Sequence, residues 1–191
     1  MQSIGFVFAP SPRRIAPKKA REIINALPPF VQTVGVFVNE RPDAIREIIR
    51  LCGLNLIQLH GDEPPEMCED FMPHTVKAFR VRDKTVLQSI APYKGNTRAI
   101  LFDTYVAQER GGTGRRFDWD LAIMGKGLGV PVILAGGLTP SNIERAILTV
   151  KPFAVDVGSG VENRPGEKDH FLIKELMKKI QNTENGGDLN E

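Results

Sequence analysis

The sequence has no excess of either charge and no long apolar run. Its 191 residues hold 25 Lys and Arg against 23 Asp and Glu, a net charge of +2, so charge gives no reason to expect nucleic acid or a membrane surface as partner. No apolar run approaches the roughly 20 residues that cross a bilayer, and the N-terminus lacks the pattern of a signal peptide. We therefore expect a cytoplasmic protein that binds a small molecule.

Cysteine is too rare for a disulfide framework or a metal centre. The chain has two, Cys52 and Cys68, and each lies in a segment whose apolar residues have helical spacing. We expect both to be packed free thiols. The sequence shows no cluster of metal ligands, so we predict no metal site.

The composition, with 41% hydrophobic and 25% charged residues, is that of one globular domain with a sizeable core. We expect this domain to cover residues 1–181. The last ten residues, 182–191, read NTENGGDLNE. This polar, glycine-containing segment predicts a flexible C-terminal tail.

Short apolar strands alternate with amphipathic helices along the chain, which predicts an α/β protein with a parallel sheet. The predicted strands are IGFVF, QTVGVFVN, LNLIQLHGD, TVKAFRV, TRAILFDT, VPVILAGG and FAVDVGSG. An open doubly wound sheet and a closed TIM (β/α)₈-type barrel both fit this alternation. Polar residues follow nearly every strand rather than one switch point, which favours the barrel. We predict a barrel of seven β/α units, in which the first strand and helix of the eight-unit fold are missing.

Two consecutive strands run into glycine-rich loops, Gly136-Gly137 and Gly158-Ser159-Gly160. Glycine lets the backbone approach a ligand, and N–H groups at a helix N-terminus attract phosphate. Thr139 stands where an N-cap would precede a helix beginning at Pro140. We predict that Gly136, Gly137, Gly158 and Ser159 bind phosphate; the alternative is that these glycines only serve tight turns.

Asp103 closes the apolar strand AILFDT. A carboxylate at the end of an apolar interior row is partly desolvated, which suits a general acid near neutral pH. The alternative is a helix cap or a residue that hydrogen-bonds its own loop.

Three further side chains are candidates for binding substrate. Gln58 and His60 lie on one face of their strand because side chains alternate along a strand. The alternative is that His60 only makes hydrogen bonds within its own loop. Arg13 follows the first strand, where a guanidinium can grip a carboxylate or phosphate. The loop ERGGTGRRFDW, at 109–119, is either a flap over the site or a plain connection, with Asp118 as a possible N-cap.

These motifs occur in an order that resembles phosphoribosylanthranilate isomerases, barrel enzymes of tryptophan biosynthesis. The similar segments are IGFVFAPSPRRIAP, VGVFVNE, LNLIQLHGDE, LFDT, GGTGRRFDW, LAGGLTPSNI, PFAVDVGSGVE and PGEKDH. Together they cover essentially all of the chain except the tail.

The resemblance implies an aldose-ketose isomerase that uses no metal or organic cofactor. Asp103 corresponds to the general acid that protonates the furanose ring oxygen, and Arg13 to the arginine that engages the anthranilate carboxylate. The loops at Gly136-Gly137 and Gly158-Ser159 correspond to the phosphate cradle.

The same resemblance implies a strand similar to KICGIT and a helix before Ile4, and the cysteine of that strand is the family's general base. Without that cysteine we expect impaired turnover. Strand edges left unpaired would favour self-association. Two alternatives remain, namely another sugar-phosphate barrel isomerase or lyase, and a non-catalytic barrel that binds a phosphorylated ligand or a partner enzyme.

Overall fold

The computed structural model describes residues 3–81, 83–103 and 119–187. Seven strands follow one another in a single sheet in chain order, and the pairs β1–β2, β2–β3, β3–β4 and β6–β7 are parallel. These strands are β1 (Ser3–Val7), β2 (Gln32–Phe37), β3 (Leu56–Leu59), β4 (Thr75–Arg80), β5 (Ala99–Asp103), β6 (Val132–Ala135) and β7 (Ala154–Val155). The predicted α/β class with a parallel sheet is confirmed.

Helices follow the strands along the chain. They are α1 (Pro17–Asn25), α2 (Pro42–Cys52), α3 (Pro65–Glu69), α4 (Val86–Ile90), α5 (Trp119–Lys126), α6 (Ile143–Val150) and α7 (His170–Gly187). Short 3₁₀ turns lie at Ala91–Tyr93 and Ser159–Val161, and an antiparallel hairpin joins β8 (Glu162–Arg164) to β9 (Glu167–Lys168). Proline at the start of α1, α2 and α3 favours these helix beginnings because its fixed φ suits the first helical position.

Residue contacts divide the chain into two compact units. The first unit comprises Met1–Ala78 with Pro92–Ile100, and the second comprises Phe79–Ala91 with Leu101–Glu191. The prediction of a single domain over residues 1–181 stays a prediction.

The first unit has an apolar core built from alternate strand residues and the inner faces of α1 and α2. Phe8, just beyond β1, stacks on Phe37 of β2 with ring centroids 5.3 Å apart. Ile57 and Leu59 of β3 and Ile45 of α2 are almost fully buried in the same cluster. Since these residues alternate along strands and recur at helical spacing, the apolar pattern of the sequence accounts for this core.

In the second unit, α5 lies against Phe102 of β5. Phe102 is fully buried, and a Cβ atom placed on Gly125 would overlap its ring. The absence of a side chain at Gly125 thus lets the helix lie against the strand that ends in Asp103.

The helix α7 starts with a side-chain cap and runs past residue 181. Asp169 Oδ1 accepts the N–H groups of Phe171 at 2.7 Å and Leu172 at 3.1 Å. The helix continues to Gly187, so much of the segment predicted as a flexible tail is helical, and residues 188–191 lie outside the described residues. The segment contains no proline, and Thr183 Oγ1 bonds back to the carbonyl of Lys179 at 2.8 Å, which is compatible with a continuing helix.

Within the described ranges, none of the helices combines the length and apolar character needed to cross a membrane.

The Gly125–Phe102 contact predicts the effect of a methyl group at this position. We expect Gly125→Ala to lower the free energy of unfolding by about 1–3 kcal/mol, because the new Cβ forces Phe102 or the helix to move. Met124→Ala, on the half-exposed side of the same helix, is the matched control and should change it by less than about 0.5 kcal/mol. Denaturant unfolding of both variants measures these free energies. A Gly125→Ala variant as stable as the unchanged chain would show that α5 does not pack tightly against Phe102.

Candidate functional site

Gln58 and His60, at the end of β3, form a hydrogen-bonded pair. Gln58 is 7% exposed, and its Nε2 lies 2.9 Å from His60 Nδ1. The amide nitrogen can only donate, whereas the role of the imidazole nitrogen in this contact depends on the ring tautomer. The backbone N–H of His60 donates to the carbonyl of Phe37 at 2.8 Å. The structure therefore brings together the two side chains that strand alternation predicted to share a face.

Arg13 lies in a tight loop directly after β1. Its backbone N–H donates to Ser11 Oγ at 3.1 Å, and the N–H of Arg14 donates to the carbonyl of Ser11 at 3.0 Å. The chain then returns to β1, where the N–H of Ile15 donates to the carbonyl of Val7 at 2.9 Å. This turn holds a half-buried arginine beside the strand end, as the sequence predicted.

A buried ion pair joins β4 to the loop after β3. Lys77 Nζ lies 2.9 Å from Glu63 Oε2, and the two side chains are 2% and 1% exposed. The ammonium also donates to the carbonyl of Gly61 at 2.6 Å and to that of Leu59 at 3.3 Å. It thus has three oxygen acceptors, as a buried ammonium needs.

The carboxylate of Glu63 is equally well satisfied. Its Oε1 accepts the backbone N–H of Asn39 at 2.8 Å, and its Oε2 accepts that of Gly61 at 2.9 Å. Asn39 Oδ1 in turn accepts the N–H of Asp62 at 2.7 Å, and Tyr93 Oη donates to the carbonyl of Glu63 at 2.8 Å. We call Glu63, Lys77 and these backbone partners the β3-loop network.

The sequence predicted no role for Lys77 or Glu63. The available signal was a lysine in the middle of the apolar strand TVKAFRV, because a charged residue at a buried strand position requires an opposite charge nearby.

Asp103 is the last residue of β5, in the second unit. Ala99–Phe102, which precede it, are at most 5% exposed, whereas Asp103 itself is partly exposed. Its backbone carbonyl accepts the N–H of Val81 at 3.0 Å. The carboxylate therefore stands where a buried apolar row meets the strand end, in the position predicted from the sequence.

The loop after β6 uses two glycines in the left-handed region, Gly136 with φ 84° and Gly137 with φ 61°. Asn142, not Thr139, is the residue before α6, so the prediction of a helix beginning at Pro140 is wrong. The Asn142 side chain accepts the N–H of Thr139 and donates to the carbonyl of Gly137, each at 2.9 Å. These local bonds stabilise a turn in place of the first helical residues.

The two glycine-rich loops touch each other. A Cβ atom on Gly160 would overlap the backbone carbonyl of Leu138, so the second loop lies directly against the first. From β9, Lys168 Nζ donates to the carbonyl of Gly158 at 2.8 Å and pairs with Glu162 Oε1 at 3.0 Å. The backbone of this loop is therefore held from both sides.

Both cysteines are buried free thiols, as predicted. Cys52 Sγ donates to the carbonyl of Pro17 at 3.3 Å, and burial raises the pKa of this thiol. Burial also raises the pKa of Cys68 to about 11, mainly because the thiolate would be desolvated. Neither thiol suits a general base near neutral pH.

In the described ranges, no three His, Cys, Asp or Glu side chains are grouped so that they could hold a metal ion. The predicted flap at 109–119 falls, except for Trp119, outside the described residues, as does its possible N-cap Asp118.

Comparison with known proteins gives a consistent match. The family model described as N-(5'phosphoribosyl)anthranilate (PRA) isomerase matches residues 1–179. The N-(5'-phosphoribosyl)anthranilate isomerase of Geobacter sulfurreducens is 48% identical over 180 residues, which cover 94% of this chain and 87% of that relative.

Solved structures agree with this match. The phosphoribosyl anthranilate isomerase of Thermotoga maritima is 42% identical and superposes with a TM-score of 0.86, over 95% of this chain and 88% of that one. A phosphoribosyl anthranilate isomerase in complex with reduced 1-(o-carboxyphenylamino)-1-deoxyribulose 5-phosphate is 41% identical, with a TM-score of 0.84 over the same shares of the two chains. The chain belongs to the N-(5'-phosphoribosyl)anthranilate isomerase family.

Proposed function

We propose that this chain is an aldose-ketose isomerase of tryptophan biosynthesis that converts N-(5'-phosphoribosyl)anthranilate to 1-(o-carboxyphenylamino)-1-deoxyribulose 5-phosphate. The family match over residues 1–179 carries the proposal. A related structure holds the reduced form of this product, a phosphorylated small molecule. No metal or organic cofactor is needed, because every step is a proton transfer.

Asp103 is the proposed general acid. Protonation of the furanose ring oxygen breaks its bond to C1 and gives an open-chain Schiff base. A base then removes the C2 proton to give an enolamine, which gains a proton at C1 and loses the proton of its C2 hydroxyl group to become the aminoketone. The position of Asp103 at the end of a buried strand supports the first step, because a carboxyl group at a strand end can be held beside the ring oxygen as a general acid.

The proton at C2 requires another group. The resemblance assigns this step to a cysteine on a strand that comes before β1 in the family. Cys52 and Cys68 do not replace it, since both are buried in helices with pKa values raised by burial.

The other site residues are proposed to bind substrate. Arg13 engages the anthranilate carboxylate through its guanidinium, and the hydrogen-bonded Gln58–His60 pair contributes polar groups to the same substrate. The loops at Gly136-Gly137 and Gly158-Ser159 bind the phosphate through backbone N–H groups. Their mutual contact at Gly160 supports this, because it places two glycine-rich backbones side by side.

Three finer points belong to the same proposal. We expect a TIM-type (β/α)₈ arrangement, in line with the TM-score of 0.86 to the Thermotoga structure. Self-association through β1 is supported by its exposed residues Ser3, Ile4 and Gly5 and by its single hydrogen-bonded neighbour among the described strands. A cytoplasmic location stays a prediction.

Replacing Asp103 tests the acid step. We expect Asp103→Asn to reduce turnover of N-(5'-phosphoribosyl)anthranilate by about 10²–10⁴-fold, because the amide cannot donate the proton. Affinity for the reduced product, measured by calorimetry, should change much less. The control is Asp120→Asn on the exposed side of α5, which should retain full turnover.

Turnover by Asp103→Asn equal to that of the unchanged chain would remove Asp103 from the mechanism. An unchanged chain that binds the reduced product but shows no turnover would indicate a phosphate-binding barrel without catalysis.

Gly160→Ala tests the phosphate assignment. The added Cβ meets backbone, so the two loops must separate, and we expect affinity for the reduced product to fall at least about tenfold. Affinity for its dephosphorylated form should hardly change. The control is Gly53→Ala, which strains a left-handed helix end with φ 72° in the first unit and should leave both affinities unaltered. Equal losses for the two ligands would refute the phosphate site.

A further inference from the structure

We propose that Lys168, at the end of the β8–β9 hairpin, orients the peptide group between Gly158 and Ser159 for phosphate binding. The inference rests on the proposed function and extends it by one positioning residue in the second unit. It starts from a hydrogen bond between residues 10 positions apart in the chain, in which Lys168 Nζ donates to the carbonyl of Gly158 at 2.8 Å. The chain thus leaves the loop, forms the hairpin and returns to bind the loop at its first glycine.

This bond sets the direction of the next N–H group. The peptide bond between Gly158 and Ser159 is planar and trans, so the carbonyl of Gly158 and the N–H of Ser159 point in opposite directions. A carbonyl held toward the ammonium therefore directs the N–H of Ser159 away from it. The bond uses an acceptor of the loop, so it takes no N–H group from the phosphate.

Packing does not fix this peptide group. At Gly160 a Cβ atom would overlap the carbonyl of Leu138, so contact with the first loop holds that residue. At Gly158 no atom of the described residues, its two chain neighbours aside, lies within 4 Å of such a Cβ atom. The two glycines of the loop are therefore held differently. The orientation of the peptide at Gly158 depends on its hydrogen bond to Lys168.

The ammonium itself is fixed beside the loop. Glu162 and Lys168 are partners across the hairpin, and Glu162 Oε1 lies 3.0 Å from Lys168 Nζ. The same carboxylate oxygen accepts the N–H of Gly166 at 3.3 Å. The side chain of Glu162 is only 4% exposed, and a carboxylate buried to this extent favours a paired cation. The pair keeps the ammonium next to Gly158.

The hairpin is attached to the rest of the second unit at its base. Val161, directly before β8, is 3% exposed, and its carbonyl accepts the N–H of Asp169 at 2.9 Å. Asp169 in turn caps α7 through its side chain. Because Lys168 directly precedes Asp169, the fold fixes the position from which its side chain reaches Gly158.

Two effects of losing Lys168 act in the same direction. The peptide between Gly158 and Ser159 becomes able to rotate, so that its carbonyl instead of its N–H group can face an anion. The carboxylate of Glu162 also loses this cation and repels a phosphate bound at the loop more strongly. Both effects weaken the binding of a phosphorylated ligand and leave an unphosphorylated one unaffected.

The test compares Lys168→Met with the unchanged full chain. Its affinity for the reduced product, measured by calorimetry, should fall about tenfold to a hundredfold, because a charge-assisted hydrogen bond no longer holds the peptide. Affinity for the dephosphorylated form should hardly change. The residual dipolar coupling of the Ser159 amide, which reports the direction of its N–H bond, should change in the absence of any ligand.

The matched control is Arg164→Met in the same hairpin. Arg164 pairs with Glu167 at 2.6 Å, and both side chains are exposed. This variant removes one positive charge from the hairpin, as Lys168→Met does, and keeps the bond to Gly158. It should retain both affinities and the Ser159 coupling of the unchanged chain.

Lys168→Gln provides a second variant if Lys168→Met fails to fold. Its uncharged side chain is shorter and weakens the same bond, so smaller changes of the coupling and of the affinity are expected in the same directions.

A Ser159 coupling in the folded Lys168 variants equal to that of Arg164→Met would overturn the positioning role. Equal losses of affinity for the two ligands would overturn it as well. If the unchanged chain binds the reduced product and its dephosphorylated form equally well, the phosphate site of the proposed function is wrong. The dipolar coupling would then still decide whether Lys168 orients the peptide.

Discussion

Loops that follow parallel strands must satisfy their own backbone groups, because the ladder of hydrogen bonds ends where the strands end. The structure meets this requirement differently in its two units. After β3, one ion pair supplies the partners: Lys77 binds two carbonyls and Glu63 binds two N–H groups. After β6, the neutral side chain of Asn142 performs both tasks, accepting from Thr139 and donating to Gly137. His60 and the Gly136-Gly137 turn lie on loops that are stabilised in these two ways.

The difference has a chemical reason. A loop that holds a side chain such as that of His60 can be built around buried charges, provided that they are paired. A loop proposed to bind a phosphate needs its N–H groups free for the ligand, so its internal bonds are better made by an amide and by backbone contact. The touching backbones at Leu138 and Gly160 satisfy this condition without adding a charge.

Much of this arrangement could be predicted from the sequence, because it depends on local pattern. Alternation along a strand predicted that Gln58 and His60 share a face, and the apolar row before Asp103 predicted its place at the end of β5. The beginning of α6 could not be predicted, since Asn142 competes with the helix through bonds that depend on the exact turn. The Glu63–Lys77 pair also escaped prediction, because its two charges meet only when β3 and β4 are side by side. The separation of Glu63 and Lys77 along the sequence does not give the distance between their side chains.

The position of Gly160 restricts how the two glycine-rich loops can vary. Most crowded sites in a core can accept a larger residue if a neighbouring side chain becomes smaller. Here the atoms that a new side chain would meet are the carbonyl group of Leu138 and the Cα of Thr139, and every amino acid has these atoms. No substitution elsewhere in the two loops can make room by being smaller. Glycine at 160 is therefore set by the main chain of its neighbour, and the spacing of the two loops is independent of which side chains surround them.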